Sequence, residues 1–314
     1  MFDLLFYKNK REFKGKSLLN YTDDFTIIDI TTTGYDFEFD SIIEIAAIKY
    51  RNCLEIDRFY TLVKVYDALD PFIIERTGIT DEMLKDAPEI DQILEPLKNF
   101  VGNDIIISHN ANFVINFLYD SFMYCRKYAL SNDFIDTLRL SRNLYKDFEN
   151  HKLSTLAKNF NINQEVSHRA LYDCITILNC YLYMKEYIKI NNLDLSKRKH
   201  GNQIRAKELS ATNHEFDENH CLFKKYFAFT GALEKMIRKE AMQLVLNIGG
   251  YVEDGVTKKT NYLVLGNFDY SSSVKNGKSS KQIKAENLIK KGQDLRIISE
   301  NVFYDLIADS SKED

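Results

Sequence analysis

Three short stretches of this chain set chemically capable side chains at defined spacings. FTIIDITTTG at 25–34 runs four apolar residues into one carboxylate, Asp29, and then into Thr31, Thr32 and Thr33. HNANFVINFL at 109–118 opens on His109 and Asn110, and HRALYDCIT at 168–176 sets His168 five residues before Asp173. Carboxylates bind hard cations and histidine exchanges protons near neutral pH, so a fold that gathers these residues would be equipped for cation-assisted or acid–base chemistry. Alone, Asp29 is only the end of a strand followed by a turn. The rest of the chain decides what it means.

The elements that must position these residues are legible from the apolar pattern. Runs of strand length occupy 25–30, 42–49 (IIEIAAIK) and 59–65 (FYTLVKV), a spacing suited to an antiparallel meander. Helical spacing follows at 80–100, a buried strand at 104–109 (DIIISH), a helix from 109 to 118, and a short strand entering a helix at 134–142. Further helices are expected over 153–160 and 170–187. Strands first, then alternating strand and helix, indicate a mixed α/β sheet with helices on its faces. Residues 193–221 carry dense charge and little apolar pattern and read as a linker between a domain at 1–192 and a second at 222–314. The second domain has a βαββαβα order.

Composition bounds the class. With 314 residues, 45% of them hydrophobic, and only three prolines and twelve glycines, the chain can bury real cores. No apolar run approaches the ~20 residues that span a bilayer. The five cysteines show neither paired nor zinc-like spacing, which suits reduced thiols in the cytoplasm. Net charge is −4, but unevenly placed. Residues 197–300 hold 19 Lys and Arg against 12 Asp and Glu, whereas residues 1–196 hold 22 against 30. The basic C-terminal part is the better electrostatic match to a phosphate-bearing partner.

Together with PFIIERTGITDEML at 71–84 and IDTLRLSR at 135–142, the three opening stretches resemble, in order, the DEDDh (DnaQ-like) family of 3′–5′ exonucleases, which includes polymerase proofreading subunits. The resemblance covers about residues 22–188 and implies a ribonuclease H-like fold. It also implies a centre in which four carboxylates hold two Mg²⁺ or Mn²⁺ ions and a histidine activates water for phosphodiester hydrolysis. The matching positions are Asp29, Asp173 and the base His168. The resemblance further implies nucleic-acid contacts at Thr33, His109 and Asn110.

Two acids of that pattern are missing. Thr31 stands where the family has Glu, and Val114 stands where it has Asp. Loss of two anions weakens both ion sites, so Mg²⁺ or Mn²⁺ is expected to bind weakly or not at all. Glu44, Asn112 and Asn116 lie near enough in sequence to be weighed as substitutes. Thr and Val, rather than Ala, Asn or Gln, favour natural drift over engineered inactivation as the origin of the change.

The C-terminal part resembles the BRCT domain of bacterial DNA ligases through FAFTG at 227–231, Arg238, GGYVEDGVTKKTNYLVLG at 249–266, SSKQIKAENLIKKG at 279–292 and IISENVFYDLI at 297–307. Its last helix keeps only Phe303 of the aromatic segment usual there. Some BRCT domains hold a phosphate, and the resemblance places that role on Thr230, Gly231 and Lys284, or Lys281. The combined expectation is a DNA-binding protein of exonuclease descent with little or no hydrolysis, acting in replication or repair. The alternatives are an active exonuclease with altered ligands and a BRCT-based scaffold for repair proteins. The expected partner is DNA, as a single strand or 3′ end at the first domain and a 5′-phosphate at the second, with no membrane role.

Overall fold

The structure, a computed structural model, describes residues 11, 13–34, 39–163, 168–195, 205–213, 215–233, 236–266 and 278–308. It divides into two compact units, Met1–Lys199 and His200–Asp314. In the first, a six-stranded mixed sheet has the order β1-β6-β5-β2-β3-β4, built from β1 (Ser17–Leu18), β2 (Phe25–Thr32), β3 (Ile42–Arg51), β4 (Leu54–Leu62), β5 (Ile106–Ser108) and β6 (Phe134–Asp136). The β2, β3 and β4 strands form the antiparallel meander, while β2, β5, β6 and β1 run parallel. The β2 and β3 runs are almost continuously apolar because both faces of the sheet centre are covered.

Side chains alternate across β2 and so divide the core in two. Ile28 and Ile30 join a cluster with α3 (Ile90–Val101) and α4 (Ala111–Arg126), including Leu94, Leu97, Ile115 and Leu118. Phe25 and Ile27 join another with α5 (Thr137–Leu144), α6 (Leu153–Asn159) and α7 (Ala170–Ile190), including Cys174, Ile177 and Tyr181. The helical segment expected over 80–100 is broken. Thr80 caps the single turn α2 (Asp81–Leu84), and Pro88, which bars the helical conformation from the residue before it, separates that turn from α3. The α1 helix (Pro71–Thr77) precedes them and stops at Gly78, whose φ of 69° suits glycine.

The β3–β4 hairpin closes on two residues, Asn52 and Cys53, both left-handed (φ 52° and 60°). Its short loop starts β4 five residues before the strand expected at 59. Turns of this type favour Asn-Gly, so a cysteine side chain in the second place costs about 1 kcal/mol.

In the second unit a four-stranded parallel sheet has the order β10-β9-β7-β8. Its elements run β7 (Tyr226–Thr230), α8 (Arg238–Asn247), β8 (Tyr251–Glu253), β9 (Tyr262–Leu265), α9 (Ser280–Lys290), β10 (Arg296–Ser299) and α10 (Glu300–Ala308). Phe303 is fully buried and meets Phe229 edge-on at 5.3 Å. Part of the stretch expected as a linker belongs to this unit. Ala206 and Leu209 pack against its core, Ala206 N donates to Asp254 at 2.8 Å, and Thr212 N donates to Asn247 at 3.0 Å. Dense charge hid these few apolar anchors. Residues 196–204 and 214 of that stretch lie outside the described residues. No helix among the described residues is long and apolar enough to cross a membrane.

Tyr181, fully buried on α7, fixes the start of β2: its hydroxyl accepts from Thr22 N at 2.7 Å and donates to Thr22 O at 2.8 Å. Tyr181→Phe removes both bonds and should lower stability by about 1 kcal/mol, read as a shift in the urea-unfolding midpoint at unchanged slope.

Candidate functional site

Asp29 and Thr31 project from the same face of β2, the face that α7 covers. Asp173 lies in the first turn of α7 and is largely buried. Burial drives the Asp29 carboxyl well above its usual range, and the nearby Asp173 carboxylate pushes the same way; Glu44 adds to this, against the Ile30 main-chain donor. The two acids therefore face one another closely enough to oppose shared ionisation.

Thr31 takes a different part. It pairs directly across the sheet with Glu44, and its hydroxyl donates to Glu44 Oε2 at 2.9 Å. Glu44 is 0% exposed and has three further donors: Tyr60 Oη and Arg169 Nε on Oε1, each at 2.8 Å, and Ala170 N on Oε2, also at 2.8 Å. Arg169 Nη2 also donates to Tyr60 Oη at 2.8 Å. A buried carboxylate with four donors, one of them a guanidinium, is fully satisfied, and it fastens β2, β3 and β4 to the N-terminus of α7. Glu44 is thereby committed to structure.

Val114 is 1% exposed and belongs to the other cluster, with Ile28, Ile30 and Leu118. Its side chain lies in hydrocarbon. Asn112 and Asn116, flanking it, turn to Lys14, whose Nζ donates to both side-chain oxygens at 2.7 Å. Sequence reasoning could not foresee Lys14, which is nearly a hundred residues away. Among the described residues no group of three or more His, Cys, Asp or Glu is arranged to hold a metal ion. Among the described residues, those present do not fit a two-ion centre: Asp29 and Asp173 are the two acids at the family's positions, and Asp29 is held towards its neutral form.

His168 is exposed in a left-handed conformation (φ 54°) just before α7, and its carbonyl lies 3.5 Å from Thr31 Oγ1. Desolvation, and then the Arg76 guanidinium of α1, hold its imidazole below the ordinary value. Arg76 is a neighbour that the sequence reading did not single out. The other expected nucleic-acid contacts, Thr33, His109 and Asn110, are half-buried. Thr33 Oγ1 bonds Asp40 at 3.2 Å and accepts from Ser41 N at 2.9 Å. Asn110 is the left-handed residue that starts α4. His109 Nδ1 meets Thr137 Oγ1 at 3.0 Å, and burial first, then Arg142, lowers its pKa to about 3. It is neutral at physiological pH.

In the second unit Thr230 is buried, its hydroxyl donating to Ser279 Oγ at 2.9 Å, and Ser279 caps α9. Gly231 is left-handed (φ 83°) and its carbonyl accepts from Arg238 Nη2 at 2.8 Å. Lys281 Nζ reaches Phe229 O at 2.8 Å and so sits beside this turn. Burial, then Arg238, lowers its pKa to about 8. Lys284 is exposed one turn further along α9. Of the two lysines considered, Lys281 is the one placed with Thr230 and Gly231. Lys275, also in the basic stretch, lies outside the described residues.

Glu44→Ala leaves the partly buried Arg169 guanidinium and three further donors without their acceptor, and should destabilise the first unit by about 3 kcal/mol; Thr31→Val, losing one hydroxyl bond, should cost about 1 kcal/mol. Urea unfolding of both variants checks the order, and equal small losses would refute the network.

Residues 26–181 match the family RNase_T, described as exonuclease. The chain is 40% identical over 166 residues to the PolC-type DNA polymerase III of Bacillus subtilis (strain 168), covering 52% of this chain and 11% of that protein. It is likewise 40% identical over 153 residues to that of Oceanobacillus iheyensis, covering 49% and 11%. The chain thus spans about a tenth of the length of these curated relatives. A solved structure, exonuclease X in complex with 5′ overhanging duplex DNA, aligns with 22% identity and a TM-score of 0.43, over 55% of this chain and 95% of that one. Residues 26–181 are an exonuclease (RNase_T) domain of the DEDDh type with PolC-type homologues.

Proposed function

We propose that this chain is a DNA-binding protein of 3′–5′ exonuclease descent that hydrolyses phosphodiesters slowly or not at all, and that it works in replication or repair. The observation that carries the reading is the Thr31–Glu44 bond. At the position where the family places a metal-ligating acid, this chain has a hydroxyl donor, and the nearest acid is closed off by Arg169, Tyr60 and the Ala170 amide. The PolC-type relatives are DNA polymerases by name, which supports DNA as the partner. Five free thiols suit a reducing cytoplasm.

A second reading rests on the Asp29–Asp173 pair. Two carboxylates that oppose each other's ionisation are a seat for one cation, and a single ion there would support active cleavage with His168 as base. Both readings are tested on a labelled single strand with Mg²⁺ or Mn²⁺. The expected outcome is no processive digestion by the full chain. Robust cleavage that Asp29→Ala abolishes would overturn the first reading in favour of the second. Restoring the acids by Thr31→Glu with Val114→Asp carries a structural difficulty, because position 114 lies in an apolar core where an unpaired carboxylate costs several kcal/mol, on the order of its desolvation.

We read the second unit as a BRCT domain. The βαββαβα order around a four-stranded parallel sheet supports this, as does the meeting of Thr230, Gly231 and Lys281. A buried hydroxyl, a left-handed glycine and a lysine beside a helix start make a phosphate cradle for a 5′ end or a phosphorylated partner in a repair complex. Lys281 is cationic below about pH 8 and neutral above it. Affinity for a 5′-phosphorylated oligonucleotide, relative to the unphosphorylated one, should therefore fall as pH rises through 8. Lys281→Ala should remove the preference, roughly 10-fold or more, while Lys284→Ala leaves it. An unchanged preference in Lys281→Ala would refute the assignment.

A further inference from the structure

Away from the Asp29 site, three side chains from distant parts of the first unit meet. Lys185 of α7 donates from Nζ to Cys53 Sγ at 3.0 Å and to Asp23 Oδ1, and the Cys53 thiol lies 3.4 Å from the same Asp23 oxygen. The geometry is held from every side. Cys53 N donates to Asp23 O at 2.9 Å, Asn52 N donates to Asp24 Oδ1 at 2.8 Å, and Tyr181, one turn before Lys185 on α7, clamps Thr22. The Lys185 side chain is only 6% exposed, whereas Cys53 is half-buried and within reach of a small oxidant.

A second observation points the same way. Cys53 occupies the place in the hairpin turn where a glycine would relieve the left-handed backbone. The side chain that stands there instead brings its sulfur to a buried amine.

We propose that Cys53 and Lys185 are a modification site, forming a sulfenamide cross-link when the protein meets a hydroperoxide. The chemistry balances in two steps. Peroxide transfers one oxygen to the thiol, giving the sulfenic acid and one water. The neutral Lys185 amine, already at near-attack distance, then attacks the sulfenic sulfur. The S–O bond breaks, an S–N bond forms, and the hydroxyl leaves with an amine proton as a second water. Thiol and amine together lose two hydrogens, and the peroxide is the species reduced.

Asp23 is placed to take the proton that Lys185 must first lose and, being half exposed, to pass it to water. Burial, with the Lys189 ammonium, lowers the Lys185 pKa and favours the nucleophilic form, against Glu186. Burial also raises the Cys53 thiol, with Asp24 adding and Lys189 opposing, so the first step is slower than for an activated thiolate. The product fastens the β3–β4 turn to α7, the helix that carries Asp173.

The test is mass spectrometry of the full chain after millimolar hydrogen peroxide at pH 8, with remaining thiols blocked before digestion. The expected species joins the peptides of Cys53 and Lys185 at about 2 Da below their summed mass and separates again on dithiol reduction. It should be missing from Cys53→Ser and from Lys185→Arg, which keeps the cation without the amine. Wild-type protein that shows Cys53 only as sulfinic or sulfonic acid with Lys185 unmodified, or a cross-link that survives in Lys185→Arg, would overturn the proposal.

Discussion

A single buried carboxylate organises the first unit. Glu44 sits where β3 crosses the site end of β2, with no solvent and four donors around it, and an ionised group in that setting is tolerable only if each donor stays in place. Those donors come from β2, β4 and the first residues of α7. The requirement to satisfy one charge thus fixes the angle at which α7 meets the sheet, and with it the approach of Asp173 to Asp29. The hydroxyl of Thr31 is part of this set, so the residue that departs from the exonuclease pattern is also a structural partner of the fold.

The two departures from the pattern differ in physical character. Thr31 remains on the polar face, close to the acids, and changes the site by donating where an anion would accept. Val114 leaves the site altogether and contributes to the apolar cluster between the sheet and α4. A cleft with Asp29 held towards its neutral form and Glu44 paired to Arg169 presents less negative charge to a phosphate backbone than four ionised carboxylates would. Arg76 beside His168 adds positive charge at its rim. Such a cleft repels a phosphate backbone less than four ionised carboxylates would.

Much of this was legible in the sequence. The long apolar runs at 25–30 and 42–49 marked the central strands because burial on both faces leaves no polar alternation to confuse. The spacing of His168 and Asp173 placed them on one helix start. Register was not legible: that Thr31 lies opposite Glu44 follows from strand pairing, and no local pattern encodes it. The two-residue strand Ser17–Leu18 was too short to carry a period. The choice between Lys281 and Lys284 turned on which one faces the β7 turn, a rotation of one helix by less than a full turn. Apolar anchors at Ala206 and Leu209 were masked by surrounding charge.

On the proposed reading, hydrogen bonding stands in place of metal ligation at the end of β2. The most direct measurement is a Mn²⁺ titration of the full chain followed by electron paramagnetic resonance, with Asp29→Ala as the control. Replacement of the ligands requires weak binding of one hydrated ion at most, reduced by Asp29→Ala, and no signal from a coupled pair. Two tightly bound, magnetically coupled Mn²⁺ ions lost together in Asp29→Ala would contradict it.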